Sequence, residues 1–137
     1  MARLVRNVKR HWFTTLPPVD PVELTGQTIV VTGGNDGIGF AVAKQLAVFH
    51  PGKLILASRN VAKSENAIKA IQSSVGSTPT IMEAWSLDLA SIDSVTEFAA
   101  RANRELAGLD ILVLNAGVVR ARFGLTRDGH EEMYFPD

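Results

Sequence analysis

The chain has 137 residues, 46% of them hydrophobic, enough for one domain with a real core and too few for two comfortable ones. Lys and Arg number 14, as do Asp and Glu, so the formal charge of +0 gives no footing for nucleic acid or an acidic partner. Cysteine is absent, which excludes disulfide frameworks and thiolate metal sites, and no apolar run approaches the roughly 20 residues that span a bilayer. A soluble protein is expected, with the cytoplasm as default location.

Residues 1–21 read as an extension and linker, and 22–137 as the folded domain. In "MARLVRNVKRHWFTTLPP", Leu4, Val5, Val8, Trp12 and Leu16 share one side of a helix while Arg3, Arg6, Lys9 and Arg10 gather on the other. Such a basic amphipathic helix suits a membrane surface or an organelle leader, and equally an apolar stripe laid on the body of the domain. Pro17-Pro18 makes a rigid connector behind it.

From Leu24 onward, short β-rich runs alternate with helical stretches. "QTIVVTG" predicts a strand. "GIGFAVAKQLAVFH" predicts a helix with Ala41, Val42, Leu46 and Phe49 toward the core, ended by Gly52. "KLILAS" follows as a second strand, then a helix from Ala62 to Ser74 that buries Ala67, Ile68 and Ile71. "TIMEAWSLD", "SIDSVTEFAARANREL" and "DILVLNAG" add a strand, a helix and a fourth strand. Strands separated by helices of this length imply parallel crossovers, with helices on both faces of an α/β sheet.

The turn "TGGNDGIG", residues 32–39, holds four glycines between the first strand and the first helix. That placement aims backbone N–H groups and the positive end of a helix dipole at one point, which suits a phosphate or pyrophosphate. Gly33 permits the tight turn, Gly37 lets phosphates approach the backbone, and Gly39 lets the helix pack on the strand.

The spacing T-G-x-x-x-G-x-G, together with "LNAG" at 114–117, "LDL" at 87–89 and "LTRDGHE" at 125–131, resembles the short-chain dehydrogenases/reductases, in particular the retinol-dehydrogenase-like and fungal members. The resemblance covers about residues 22–135. It implies a Rossmann-type doubly wound parallel sheet, here truncated after the fourth strand, in the order 3-2-1-4. It also implies a dinucleotide cofactor held at Gly33, Asn35, Gly37, Ile38, Gly39, Arg59, Asp88, Leu89, Asn115, Ala116 and Gly117.

Coenzyme choice follows from charge. Arg59 falls 20 residues beyond Gly39, where an NAD enzyme presents Asp or Glu to the ribose. A guanidinium there binds a 2′-phosphate through charge-assisted bonds, favouring NADP over NAD, although a solvated arginine at a strand end is the bland alternative. Asn35 is at home either as a phosphate contact or as a turn residue. Asp88 either bonds the adenine, as the resemblance implies with Leu89 beside it, or begins the turn to a helix capped by Ser91. The resemblance gives Asn115 a strand-tying role, with Ala116 and Gly117 leaving room for the nicotinamide ribose.

Reduction of a carbonyl leaves an alkoxide that needs a proton, which the family supplies from a Tyr-x-x-x-Lys pair. Tyr134 is the sole tyrosine and Lys69 the last lysine, so the sequence holds no such pair and no catalytic residue is assigned. Asp128 and Glu131 predict a helix opening at "DGHEEM". The family continues this helix to an asparagine where Asp137 stands, behind Pro136, so the likeness fails there. Truncation, an altered exon junction and an incomplete sequence are all open. His11, His50 and His130 are scattered and form no metal site.

The expectation is therefore an NADP-dependent alcohol/carbonyl oxidoreductase by family, its substrate unread, with this chain inactive by itself. A non-catalytic dinucleotide-binding module and a non-functional truncated product are the alternatives. The fourth strand is expected to be an apolar sheet edge, to be covered by partner strands or by self-association into a homo-oligomer.

Overall fold

A computed structural model describes residues 22–118 and 123–131 of the chain. Four strands and three helices alternate: β1 (Thr28–Thr32), α1 (Gly37–Val48), β2 (Lys53–Ser58), α2 (Val61–Val75), β3 (Ile81–Ser86), α3 (Ile92–Glu105) and β4 (Ile111–Val113). The strands form one parallel sheet, as the alternation of strand and helix predicts, in the order β3-β2-β1-β4 that the family resemblance implies. The basic N-terminal helix predicted before Pro17 lies outside the described residues.

β1 and β2 occupy the centre and are apolar on both faces. Ile29, Val30, Val31, Leu54, Ile55 and Leu56 are all fully buried, as expected for strands covered from two sides. Their side chains alternate between two cores. Ile29, Val31, Leu54 and Leu56 meet Ala43 and Ala47 of α1 and Ala67, Ile68 and Ile71 of α2 on one face. On the other, Val30, Ile55, Ala57 and Trp85 meet Val95, Phe98 and Ala102 of α3. The registers fix this, with Val30 opposite both Ile55 and Leu112, and Ala57 opposite Trp85.

Two expectations about α1 are corrected. Its fully buried line is Gly39, Ala43 and Ala47; Leu46 and Phe49 do face the core, packed half-buried against it, while Val42 is half-buried and Ala41 exposed. The cause lies at Gly39, where an added Cβ would stand 2.3 Å from the Gly33 carbonyl oxygen and 2.4 Å from Asn115 Nδ2. Backbone approach this close leaves room only for small residues at four-residue intervals along the contact, and the larger side chains flank it. Nor does Gly52 end the helix. Phe49 is the C-cap and His50 takes the left-handed conformation at φ 52°, whereas Gly52 packs against Gly26, whose Cα an added Cβ would approach to 2.9 Å.

α2 behaves as its sequence predicts, burying Ala67, Ile68 and Ile71 behind an Asn60 N-cap whose Oδ1 accepts from Lys63 N at 3.0 Å. β4 is shorter than "DILVLNAG" suggests. Its ladder with β1 covers three residues, beyond which side chains take over the pairing. Asp110 Oδ2 accepts from Thr28 N at 2.7 Å at one end of the pair. At the other, the Thr32 hydroxyl donates to the Val113 carbonyl at 3.3 Å and accepts from the backbone N–H of Asn115 and Ala116.

The predicted helix at Asp128 does not form over residues 128–131. Leu125 and Glu131 make an antiparallel bridge around a tight turn, closed by Thr126 N–H donating to the His130 carbonyl at 2.6 Å. Asp128 still acts as a helix cap, but for another helix: its Oδ2 accepts from Ile92 N, in the first turn of α3, at 2.8 Å. The capping chemistry is legible locally, whereas the choice of which helix it serves belongs to tertiary packing.

Candidate functional site

Every strand ends on the same side of the sheet, and the turns that leave them surround a cleft of about 670 Å³. In an open parallel sheet this is where ligands bind, because the chain diverges between neighbouring strand ends.

The first wall is the β1–α1 turn. Gly33 has φ +66° and its N–H donates to the Ala57 carbonyl at 2.8 Å, tying the turn to β2. A Cβ on Gly33 would come within 3.0 Å of Ala116 Cα. Gly37 opens α1 at φ +52°, and a Cβ there would meet nothing within 4 Å, so its open side faces the cleft. Asp36 is the N-cap, with Oδ1 accepting from Gly37 N at 2.7 Å. Among the first N–H groups of α1, this one is therefore already engaged by a side chain.

Opposite stands the turn from β2 into α2. Ser58 is buried at the strand end, and exposed Arg59 follows it on the cleft rim. Lys63, in the first turn of α2, lines the same rim, so two cations frame this corner. Sequence reading singled out Arg59 and missed Lys63, Asn60 and Asp36. The available signal for Lys63 was its four-residue spacing from Arg59 at a helix start.

The third wall is the β3–α3 turn. The Ser58 carbonyl accepts from Leu87 N at 3.0 Å, holding this turn against β2. Asp88 uses Oδ1 to accept from Ala90 N at 3.0 Å, and its own N–H donates to Ser94 Oγ at 2.9 Å. Ser91 caps α3, its Oγ accepting from Ser94 N. Asp88 thus builds the turn and lines the cleft at once, so the two readings of this residue are compatible.

Asn115 closes the cleft beside β1. Its Nδ2 donates to the Thr32 carbonyl at 3.0 Å and lies 3.4 Å from that of Gly33, tying β4 to the start of the glycine turn. Of the eleven residues singled out from sequence, Gly33, Asn35, Gly37, Ile38, Arg59, Asp88, Leu89, Asn115, Ala116 and Gly117 all line the cleft. Gly39 does not. It sits behind the wall, in the tight contact that sets the wall's position.

No group of three or more His, Cys, Asp or Glu suited to a metal ion occurs among the described residues. No helix among them is long and apolar enough to cross a membrane.

The sheet order, the helices on both faces and the cleft at the strand ends define a Rossmann-type α/β fold. The family model of the short chain dehydrogenases matches residues 27–134, and the chain belongs to that family. Among curated relatives, the short chain dehydrogenase/reductase mfmJ of Annulohypoxylon moriforme is 40% identical over 126 residues, covering 90% of this chain and 36% of the relative. The short chain dehydrogenase yanD of Aspergillus niger is 39% identical over 126 residues, covering 85% of this chain and 38% of its own.

Solved structures agree. Menthone neomenthol reductase from Mentha piperita superimposes with a TM-score of 0.62 at 37% identity, over 69% of this chain and 32% of that one. A metagenomic short-chain oxidoreductase in complex with NADP gives a TM-score of 0.61 at 34% identity, over 69% of this chain and 40% of that one. The chain spans little more than a third of the length of the curated relatives it matches.

Proposed function

We propose that this chain is the cofactor-binding part of an NADP-dependent short-chain dehydrogenase/reductase that interconverts an alcohol and a carbonyl. The observation that carries the reading is the corner of the cleft where β2 ends. The residue there is Arg59, Lys63 stands on the same rim, and no carboxylate takes the position that would repel a 2′-phosphate. The NADP bound by the similar metagenomic oxidoreductase supports this choice.

The cofactor fits the donor set. Gly37, whose open side no Cβ fills, and the N-terminal end of α1, whose dipole attracts an anion, would hold the pyrophosphate. Arg59 would pair with the 2′-phosphate, and Asp88 and Leu89 would border the adenine. The cofactor, when bound, would supply a hydride. An alkoxide product would need a proton, and the 137 residues hold no Tyr-x-x-x-Lys pair to provide it. What this chain would contribute is binding and orientation: Asn115 and Thr32 fix β4 beside β1, and Ala116 and Gly117, which line the cleft there, would border the cofactor's reactive end.

Calorimetric titration of the chain with NADP and with NAD tests the proposal. NADP is expected to bind at least tenfold tighter, and Arg59→Asp to reverse the order, since a carboxylate repels the 2′-phosphate and accepts from ribose hydroxyls. Equal affinity for the two nucleotides, unaltered in Arg59→Asp, would sink it. Turnover of an alcohol by the 137 residues, abolished by Gly37→Trp, would contradict the purely binding role.

A further inference from the structure

We infer that Ser64 is a positioning residue for coenzyme selection: with Ser58 it forms a buried hydroxyl clasp that holds Arg59 where a 2′-phosphate can reach it. The inference rests on the reading of Arg59 given above and extends it to a residue that touches no part of the cleft.

The clasp follows from proton counting. Ser58 Oγ donates to the Asn60 carbonyl at 3.1 Å, and Ser58 and Ser64 hydroxyls lie 2.7 Å apart. A serine has one hydroxyl proton, so with that of Ser58 committed to Asn60, Ser64 is the donor in the pair. Ser64 has 0% exposure, and a buried hydroxyl without a partner is costly, so this bond holds the pair together once α2 has packed. The Asn60 carbonyl also accepts the helical bond from Ser64 N at 3.2 Å, while Asn60 Oδ1 caps Lys63 N.

Arg59 is the residue enclosed by this loop of bonds. Its backbone is pinned on both sides, by Ser58 before it and Asn60 after it, while its side chain extends from an exposed position on the cleft rim. A long side chain loses much freedom on binding a phosphate, and a fixed backbone reduces what remains to be ordered. The side-chain bonds of the clasp run among Ser58, Asn60 and Ser64 alone. The pyrophosphate wall is held by other bonds, Gly33 N–H on the Ala57 carbonyl and Asn115 on Thr32. Loss of the clasp should therefore weaken NADP without weakening NAD.

The measurement is the ratio of NAD to NADP dissociation constants, by calorimetry on the 137-residue chain, for the parent and for Ser64→Ala, Ser64→Thr, Arg59→Ala and the Arg59→Ala/Ser64→Ala pair. Thermal unfolding by circular dichroism is followed alongside. Ser64→Ala should lower the ratio about fivefold, the scale of one hydrogen bond, with NAD affinity within about twofold of the parent. Ser64→Thr, which keeps the hydroxyl, should restore the ratio. In the Arg59→Ala background, Ser64→Ala should lower it no further.

Equal weakening of both nucleotides, an unchanged ratio in Ser64→Ala, or additive effects in the pair would each overturn the clasp. An unchanged ratio in Arg59→Ala would instead overturn the reading of Arg59 as the phosphate contact. Should Ser64→Ala fail to fold, Ser58→Ala removes both bonds of the clasp and should lower the ratio at least as far, with NAD affinity again within about twofold of the parent.

Discussion

The two faces of the sheet are covered unequally, and the inequality is a matter of widths. Strands lie about 4.8 Å apart and a helix with its side chains is about 10 Å across, so one helix covers about two strands. α1 and α2 together cover one face, and there Ile29, Val31, Leu54, Leu56 and Ile71 all reach 0% exposure. α3 is alone on the other among the described residues. It covers the β3 side, where Trp85 is buried, and leaves Leu112 of β4 48% exposed although its register partner Val30 is fully buried. The apolar stripe of α3 includes Val95, Phe98 and Ala102, yet no residue of the helix is fully buried. A strong amphipathic pattern therefore identifies the inward side of a helix without saying how much will be covered.

The thinly covered face adds polar support. Trp85 packs edge-on against Phe98 at 5.6 Å, and the Arg101 guanidinium lies 4.0 Å from the centre of a Trp85 ring. Glu83 accepts from Trp85 Nε1 and from Lys53 Nζ, each at 2.7 Å. These bonds, with the Lys53 ammonium first, hold the Glu83 carboxyl below its ordinary value of 4.5 despite the opposing effect of burial.

The largest expected effect falls at Gly39, on the doubly covered face. Gly39→Val must move either the Gly33 carbonyl or α1 itself, and is expected to cost about 3 kcal/mol or more and to abolish dinucleotide binding. A urea midpoint within error of the parent would show that the close approach is dispensable. A matched pair then sharpens the contrast. Leu56→Ala, in the sheet under two helices, should cost about 3 kcal/mol, and Phe98→Ala, half-buried on the single helix that covers the other face, about half as much. Equal losses in chemical denaturation would mean that the α3 face is as well packed as the other.

The smallest effect concerns the polar support. Glu83→Gln is expected to cost about 0.5 kcal/mol at pH 7, the pair being a quarter to a third exposed and partly screened. Because folding lowers this pKa, the stabilisation is full above the unfolded value of 4.5 and disappears as pH falls through the lower folded value. Parent and variant should therefore converge in stability once pH has fallen below the folded value. A difference that persists there would assign the effect to packing.

How much was legible varies by kind of residue. The sequence carries the strand and helix alternation, the parallel order and the glycine turn, because these depend on short-range patterns and on backbone freedom at Gly33 and Gly37. The family motifs also placed ten of the eleven singled-out residues on one cleft, since they lie in the turns at strand ends or in the first turn of α1, where a parallel sheet converges them. On α1 an apolar count finds Leu46 and Phe49, which pack half-buried on the core, and misses the fully buried line. Only the contact at Gly39 reveals that those innermost positions must be small.

Long-range partners were similarly out of reach. Asp128 signals a helix cap in any reading, yet 36 residues separate it from the Ile92 N–H it serves. Ser58 and Ser64 are ordinary polar residues by composition, and become a buried clasp only once α2 packs against β2. The sequence by itself thus determined the fold class and which turns would meet. Tertiary structure decided which side chains those turns share, because hydrogen bonds and close contacts depend on distances that no local pattern encodes.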